Sequence, residues 1–164
     1  MVNVVLVNKL KERIETLVKD FVLPTNLDGH EHKAPQVVSG FLSESKHSPV
    51  ADPQEIKAEL PAVVVRFRRE NDGRQANIVK IRVIVITYSE DEQNGWIDSL
   101  NVANRIKIGL KRDPIIDDRF QIDDESFEME QPDEQPFPEW ATYITFDVLI
   151  PQVQTEFDWE VFYK

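Results

Sequence analysis

The groups with which this chain could do chemistry are three histidines and a dense set of carboxylates. His30-Glu31-His32, with His47 close behind, has the i, i+2 spacing by which one extended segment presents two imidazoles to a zinc-type ion, and a Glu or Asp could complete that shell. The cluster lies in the most proline-rich and polar part of the chain, with no rigid element or second layer of hydrogen bonds in view. Solvent-exposed histidines are therefore the expected reading. Asp117-Asp118 and Asp123-Asp124-Glu125 could serve as carboxylates for Ca²⁺ or Mg²⁺, or as a two-metal nuclease site. They lack the fixed ligand offsets and central glycine of an EF-hand loop. A glycosidase-type carboxylate pair is defined by separation in space, which sequence does not give. Nucleophilic catalysis has no support: there is no cysteine and no G-x-S-x-G, and Ser39-Gly40 has no partner histidine on a defined element. The five glycines are scattered, without a dinucleotide fingerprint or P-loop. The expectation is a protein that is not an enzyme and needs no metal or cofactor.

Charge is distributed more tellingly than its total of −11. Between positions 113 and 139 about eleven acids face one base, Arg119. Between 66 and 82 the sign reverses, with Arg66, Arg68, Arg69, Arg74, Lys80 and Arg82 against Glu70 and Asp72. A chain this acidic is a poor candidate for specific nucleic-acid binding, which needs clustered Lys and Arg on one face. The acidic run reads either as a solvated loop or as one half of an opposite-charge subunit contact. For that contact the candidates are Arg66, Arg68, Lys80 and Arg82 on one side and Asp123, Asp124 and Glu125 on the other.

These residues need elements to position them, and 164 residues suffice for one domain spanning 1–164. Hydrophobic residues make up 41% and charged residues 30%, a globular composition with no apolar run long enough to span a membrane. The N-terminus has no basic leader or small-residue cleavage site, and the absence of cysteine is compatible with a cytoplasmic origin. Positions 2–21 carry Leu6, Leu10, Ile14, Leu17, Val18 and Phe21 at helical spacing, and Pro24 follows. A long, mobile, irregular loop is expected over 22–60. In it Val37-Val38 and Phe41-Leu42 are islands that could pin it to a surface, and Asp52-Pro53-Gln54-Glu55 reads as a capped helical turn.

From Pro61 the period changes to two, and Asp72-Gly73 marks a hairpin. The strand over 77–88 puts Val79, Ile81, Val83 and Val85 on one face, with Lys80, Arg82, Ile84, Ile86 and Tyr88 on the other. Its second face is thus expected to be partly covered. Ser89-Glu90-Asp91-Glu92 resembles a capping box for a helix running to about Arg112, with Trp96, Leu100, Ala103, Ile106 and Leu110 buried and Asp113-Pro114 as its stop. Short strands over 119–122 and 126–129 are expected to pair with each other. The last strand alternates from Trp140 to Ile150, and 152–164 form an aromatic tail. Phe137, Trp140 and Trp159 either close one edge of the core or form a contact with a partner. Helices interrupting hairpin-linked strands give an α+β class, a mainly antiparallel sheet with helices packed on one face.

Three stretches also carry a family likeness: Ser89-Glu90-Asp91-Glu92-Gln93-Asn94-Gly95-Trp96 with its helix to Leu110, Glu134-Gln135-Pro136-Phe137-Pro138-Glu139-Trp140, and, more weakly, Gln36-Val37-Val38-Ser39-Gly40-Phe41-Leu42. Over about half of its length the chain resembles the tail-completion and tail-terminator proteins of long-tailed bacteriophages and prophages. It departs from them at Ser43, where a proline is common, and in the tail after Pro151. The resemblance implies a single tail-terminator-like domain that forms a ring, commonly a hexamer, with no catalytic activity. Such a ring caps the head-proximal end of the tail tube and joins it to the head connector. The implied partners are other copies of the chain, the major tail-tube protein and the connector or stopper protein. The implied location is the host cytoplasm during assembly, then the virion tail. A head-completion or stopper protein is the near alternative, and a non-phage domain binding a small ligand or metal is the distant one.

Overall fold

The computed structural model describes residues 2–27, 32–42 and 58–151. Two helices, α1 (Val2–Val18) and α2 (Trp96–Arg112), pack on a single curled sheet of seven strands. The strands are β1 (Gln36–Ser39), β2 (Ala62–Asn71), β3 (Asn77–Tyr88), β4 (Ile115–Ile116), β5 (Phe120–Ile122), β6 (Glu128–Glu130) and β7 (Glu139–Ile150). Their spatial order is β1-β2-β3-β7-β5-β4, and β6 pairs with β7 off this path. Only β1 with β2 is parallel; all other pairs are antiparallel. The expected α+β class is what the chain adopts.

The periodicities translate directly into packing. Leu6, Leu10, Ile14 and Val18 of α1 are buried, as are Val102, Ala103, Ile106 and Leu110 of α2. Each of the Leu, Ile and Val side chains among them contributes roughly 1.5–3 kcal/mol by leaving water. The inner face of the sheet answers with Val79, Ile81, Val83 and Val85 from β3 and Ile144, Phe146 and Val148 from β7. Arg13 fastens α1 to the end of α2: its guanidinium donates to the carbonyls of Asp113 (3.0 Å) and Ile115 (3.2 Å), and pairs with the Asp113 carboxylate at 3.3 Å.

Several elements differ from expectation. Helix α1 stops at Val18, and Phe21 instead lies half-buried beneath the Arg105 guanidinium, 4.7 Å from its ring centroid. The expected loop over 22–60 contains a strand, β1, because Val37 faces the core while Gln36–Ser39 runs parallel to Ala62, Val63, Val64 and Val65. The capped turn expected at 52–55 lies outside the described residues, as does the aromatic tail.

The capping box does not form. Helix α2 starts at Trp96, and Asp91 instead holds the preceding turn, its Oδ1 accepting the N–H groups of Gln93 (3.0 Å) and Asn94 (3.1 Å). Trp96 therefore falls on the wet side of the first turn, 41% exposed, rather than in the core. Its place is taken by Trp140, only 9% exposed, whose indole lies so close to Gly95 that any Cβ there would collide with it. Finally, β5 and β6 do not pair with each other. Both join the same edge of β7, β5 at Val148–Leu149 and β6 at Tyr143–Thr145.

Candidate interaction surface on the outer face of the sheet

Strand alternation sends Lys80, Arg82, Ile84 and Ile86 of β3, and Tyr143, Thr145 and Asp147 of β7, to the face opposite the helices. The register assembles them into rows. One row reads Arg66, Arg82, Thr145, Glu128 across four strands, and the next reads Val64, Ile84, Tyr143, Glu130. Lys80 lies between Arg69 and Asp147. The outer face is thus charged toward Lys80 and apolar toward Ile86.

Placing Arg66 directly opposite Arg82 costs Coulomb energy, and the two side chains turn apart, Arg66 to a carbonyl and Phe41 and Arg82 to the Tyr143 ring. Arg66 Nε donates to the Gly40 carbonyl at 2.9 Å, and its guanidinium covers the Phe41 ring at 4.3 Å. Gly40 has φ +84°, a left-handed conformation that suits glycine, and its N–H donates to the Val65 carbonyl at 2.8 Å. Arg82 covers the Tyr143 ring at 5.4 Å, but its Nε is buried without a hydrogen-bond acceptor. Lys80 Nζ stands 3.3 Å from Asp147 Oδ1, close enough for an ion pair but not aligned as a hydrogen bond. With both groups partly wet, that pair is worth about 0–1 kcal/mol.

Arg68, Arg69, Lys80, Arg82, Glu128, Glu130 and Thr145 line a half-open cleft of about 290 Å³. Three of the four basic residues picked out by sequence meet here or border it: Arg68, Lys80 and Arg82 in the cleft, whereas Arg66 is engaged beside it. Sequence reasoning missed Arg69 as a site residue, since the register shift between Phe67 and Arg69 brings both Arg68 and Arg69 to the cleft. Glu128 and Glu130 were missed because their strand was expected to pair elsewhere. Among the described residues, Arg68, Arg69 and Arg82 have no ion-pair partner. Arg68, Arg69 and the register shift lie where β2 runs on past its pairing with β1, and guard that stretch against indiscriminate strand pairing.

The acidic candidates occupy the β5–β6 turn. Asp123 is used within the chain: its Oδ1 accepts the Glu125 N–H (3.1 Å), and its N–H donates to the Asp147 carbonyl (2.9 Å). Asp124 and Glu125 are exposed. The β4–β5 hairpin carries the other acidic pair, Asp117 and Asp118, with φ of 51° and 55°. Arg119 folds back on Asp117, Nη2 to Oδ2 at 2.5 Å and Nε to Oδ2 at 3.2 Å.

The opposite end of the sheet is aromatic. Phe137 is 49% exposed and meets Trp140 edge-on at 6.3 Å, while the Trp140 indole N–H donates to the Ser89 carbonyl at 3.0 Å. Trp140 thus closes the core edge, and Phe137 and Trp96 are the rings open to contact. Trp159 lies outside the described residues. The proline-rich stretch before β7 is held by two glutamines. Gln135 exchanges both hydrogen bonds with the backbone of Ala141 (2.8 and 3.1 Å), and Gln131 donates to the buried Thr142–Ser99 hydroxyl pair at 2.8 Å.

His30, Glu31 and His47 lie outside the described residues, and His32 is exposed. Among the described residues no three His, Asp or Glu side chains converge as metal ligands. Burial raises the Asp98 carboxyl above its usual range, and His32 opposes that shift. The Glu70 carboxyl is held low by hydrogen bonds from Asn3 (2.8 Å) and Asn77 (3.0 Å). No described helix is long and apolar enough to cross a membrane. No known family model matches the sequence, and a search of curated proteins finds no significant match.

Proposed function

We propose that this chain is a structural, non-enzymatic tail-completion protein of a long-tailed phage or prophage. It assembles head-to-tail into a ring, in the manner of a hexameric tail terminator, ends growth of the tail tube and docks to the head connector or stopper. The observation that carries this reading is the separation of two unlike charged surfaces. A cleft spanning β2, β3, β7 and β6 holds three guanidiniums with no ion-pair partner among the described residues, while exposed carboxylates (Asp118, Asp124 and Glu125) lie on the hairpin and turn flanking β5. A closed ring needs two different complementary patches on each subunit. The likeness at 89–96 and 134–140 supports the phage assignment, because these residues build the Asp91-capped turn and the Gln135-anchored approach to β7. An acidic inner surface would also repel DNA phosphates and let a genome pass without binding.

The test is negative-stain electron microscopy of the full chain, alone and with tubes of the cognate major tail protein. Annular particles that bind one end of the tubes are expected. Monomers that ignore the tubes, or that bind preformed connector alone, argue against a terminator.

A further inference from the structure

Two features remain once the sheet is built: a cleft whose three arginines have no ion-pair partner among the described residues, and a hairpin tip held in left-handed backbone. We propose that the tip of the β4–β5 hairpin of one copy, Asp117-Asp118-Arg119, seats in the outer-face cleft of the next copy. There Arg68, Arg69 and Arg82 receive its carboxylates and Glu128 and Glu130 face its guanidinium. This rests on the reading of the chain as self-assembling, and specifies which surfaces meet.

The cleft calls for a carboxylate. Lys80 has an ion pair in Asp147, but among the described residues Arg68, Arg69 and Arg82 have none, and Arg82 Nε is buried without an acceptor. A guanidinium–carboxylate contact supplies charge-assisted, two-pronged hydrogen bonds of the kind such donors lack here. The opposite wall selects the type of ligand. Glu128 and Glu130 repel a continuous polyanion such as nucleic acid, whereas a segment with both signs satisfies both walls.

The hairpin tip has that pattern. Arg119 is locked on Asp117, which leaves Asp118 at the apex as an exposed carboxylate without a partner among the described residues, beside a guanidinium. Both central residues of the turn lie at positive φ, which the usual Asn-Gly pair adopts with less strain. The rival acidic turn, Asp123-Asp124-Glu125, has no cation to offer the glutamate wall, and its Asp123 carboxylate already caps its own turn. The cleft spans β2, β3, β7 and β6, whereas the tip joins β5 and β4, the last two strands of the sheet order, and none of its residues lines the cleft of its own copy. A contact between them is heterologous and closes into a ring or propagates as a filament.

Sedimentation velocity on the full chain provides the test, with melting curves to confirm that each variant is folded. Asp118→Asn keeps the turn, since Asn tolerates left-handed backbone, but removes the free charge. It should weaken association about tenfold or more, while Asp124→Asn with Glu125→Gln leaves it nearly unchanged. Arg69→Glu should weaken association as much, and the double reversal Asp118→Lys with Arg69→Glu in one chain should recover part of it. An assembly indifferent to Asp118→Asn, or a double reversal no better than its singles, overturns this contact and leaves the assembling role standing. A wild-type chain that remains monomeric overturns the assembling role itself, and this contact with it.

Discussion

At the scale of single residues, the polar groups that matter are those whose partners are missing or unusually good. Thr87 is 1% exposed on the inner face, and its hydroxyl has no hydrogen-bond partner. Thr87→Val keeps the shape and removes the orphan, so it should stabilise the fold by about 1 kcal/mol in urea titration. Asp91 is the converse. Its carboxyl is held below the ordinary 3.8 by the backbone N–H groups of Asn94 and Gln93, so its stabilisation is complete above the unfolded value. As pH falls through the depressed folded value that contribution disappears. Asp91→Ala should therefore lower the melting temperature at pH 7, and the gap to wild type should close in strong acid. A gap that stays constant with pH would contradict the capping role. Asp91 was legible in sequence as part of a cap signal, yet its role was misassigned to Ser89, because Asx turns and helix caps share residue types.

At the scale of elements, the long periodic segments were legible and the short ones were not. The stripes of α1 and α2, and the alternation of β3 and β7, each repeat over three or more turns or pairs, so the core could be read from them. The partners of β5 and β6 are set by non-local pairing with β7, which three-residue strands do not encode. The register shift after Phe67 is equally invisible, although it decides that Arg69 joins the cleft. Trp96 leaves the core because the start of α2 moved from the expected cap to Gly95, rotating the first turn, and Trp140 takes the core-edge position that was one of its two expected roles. Arg13 gives this scale its own test, since it bridges α1 to the end of α2 and the start of β4. Arg13→Met keeps the aliphatic stem but loses two hydrogen bonds, so it should cost about 1–2 kcal/mol. It should also speed hydrogen exchange near 113–116 before the rest of the sheet. Uniform exchange would show that the clamp is not local.

At the scale of the whole molecule, the fold is an α+β domain with an arginine-rich cleft on its helix-free face and exposed carboxylates on the hairpin and turn flanking β5. The candidate cations Arg68, Lys80 and Arg82 were legible as a sign reversal in sequence, and register brings them together. Glu128 and Glu130 were submerged in the acidic run, from which sequence picked Asp123, Asp124 and Glu125 for the contact and Asp118 only as a metal-type carboxylate. Removing divalent metals with a chelator should leave both melting temperature and assembly unchanged, since the stabilising contacts described are aliphatic packing and protein hydrogen bonds. A drop restored by one specific ion would revive the reading of His30 and His32 as ligands. Self-assembly through opposite charge is decided by native mass and sedimentation equilibrium of the wild-type chain over a salt series. A single closed species of several subunits is expected at low ionic strength. It should dissociate to folded monomers as screening shortens the Debye length from about 10 Å at 0.1 M toward about 3 Å at 1 M. A monomer at every concentration, or an assembly indifferent to salt, would contradict it.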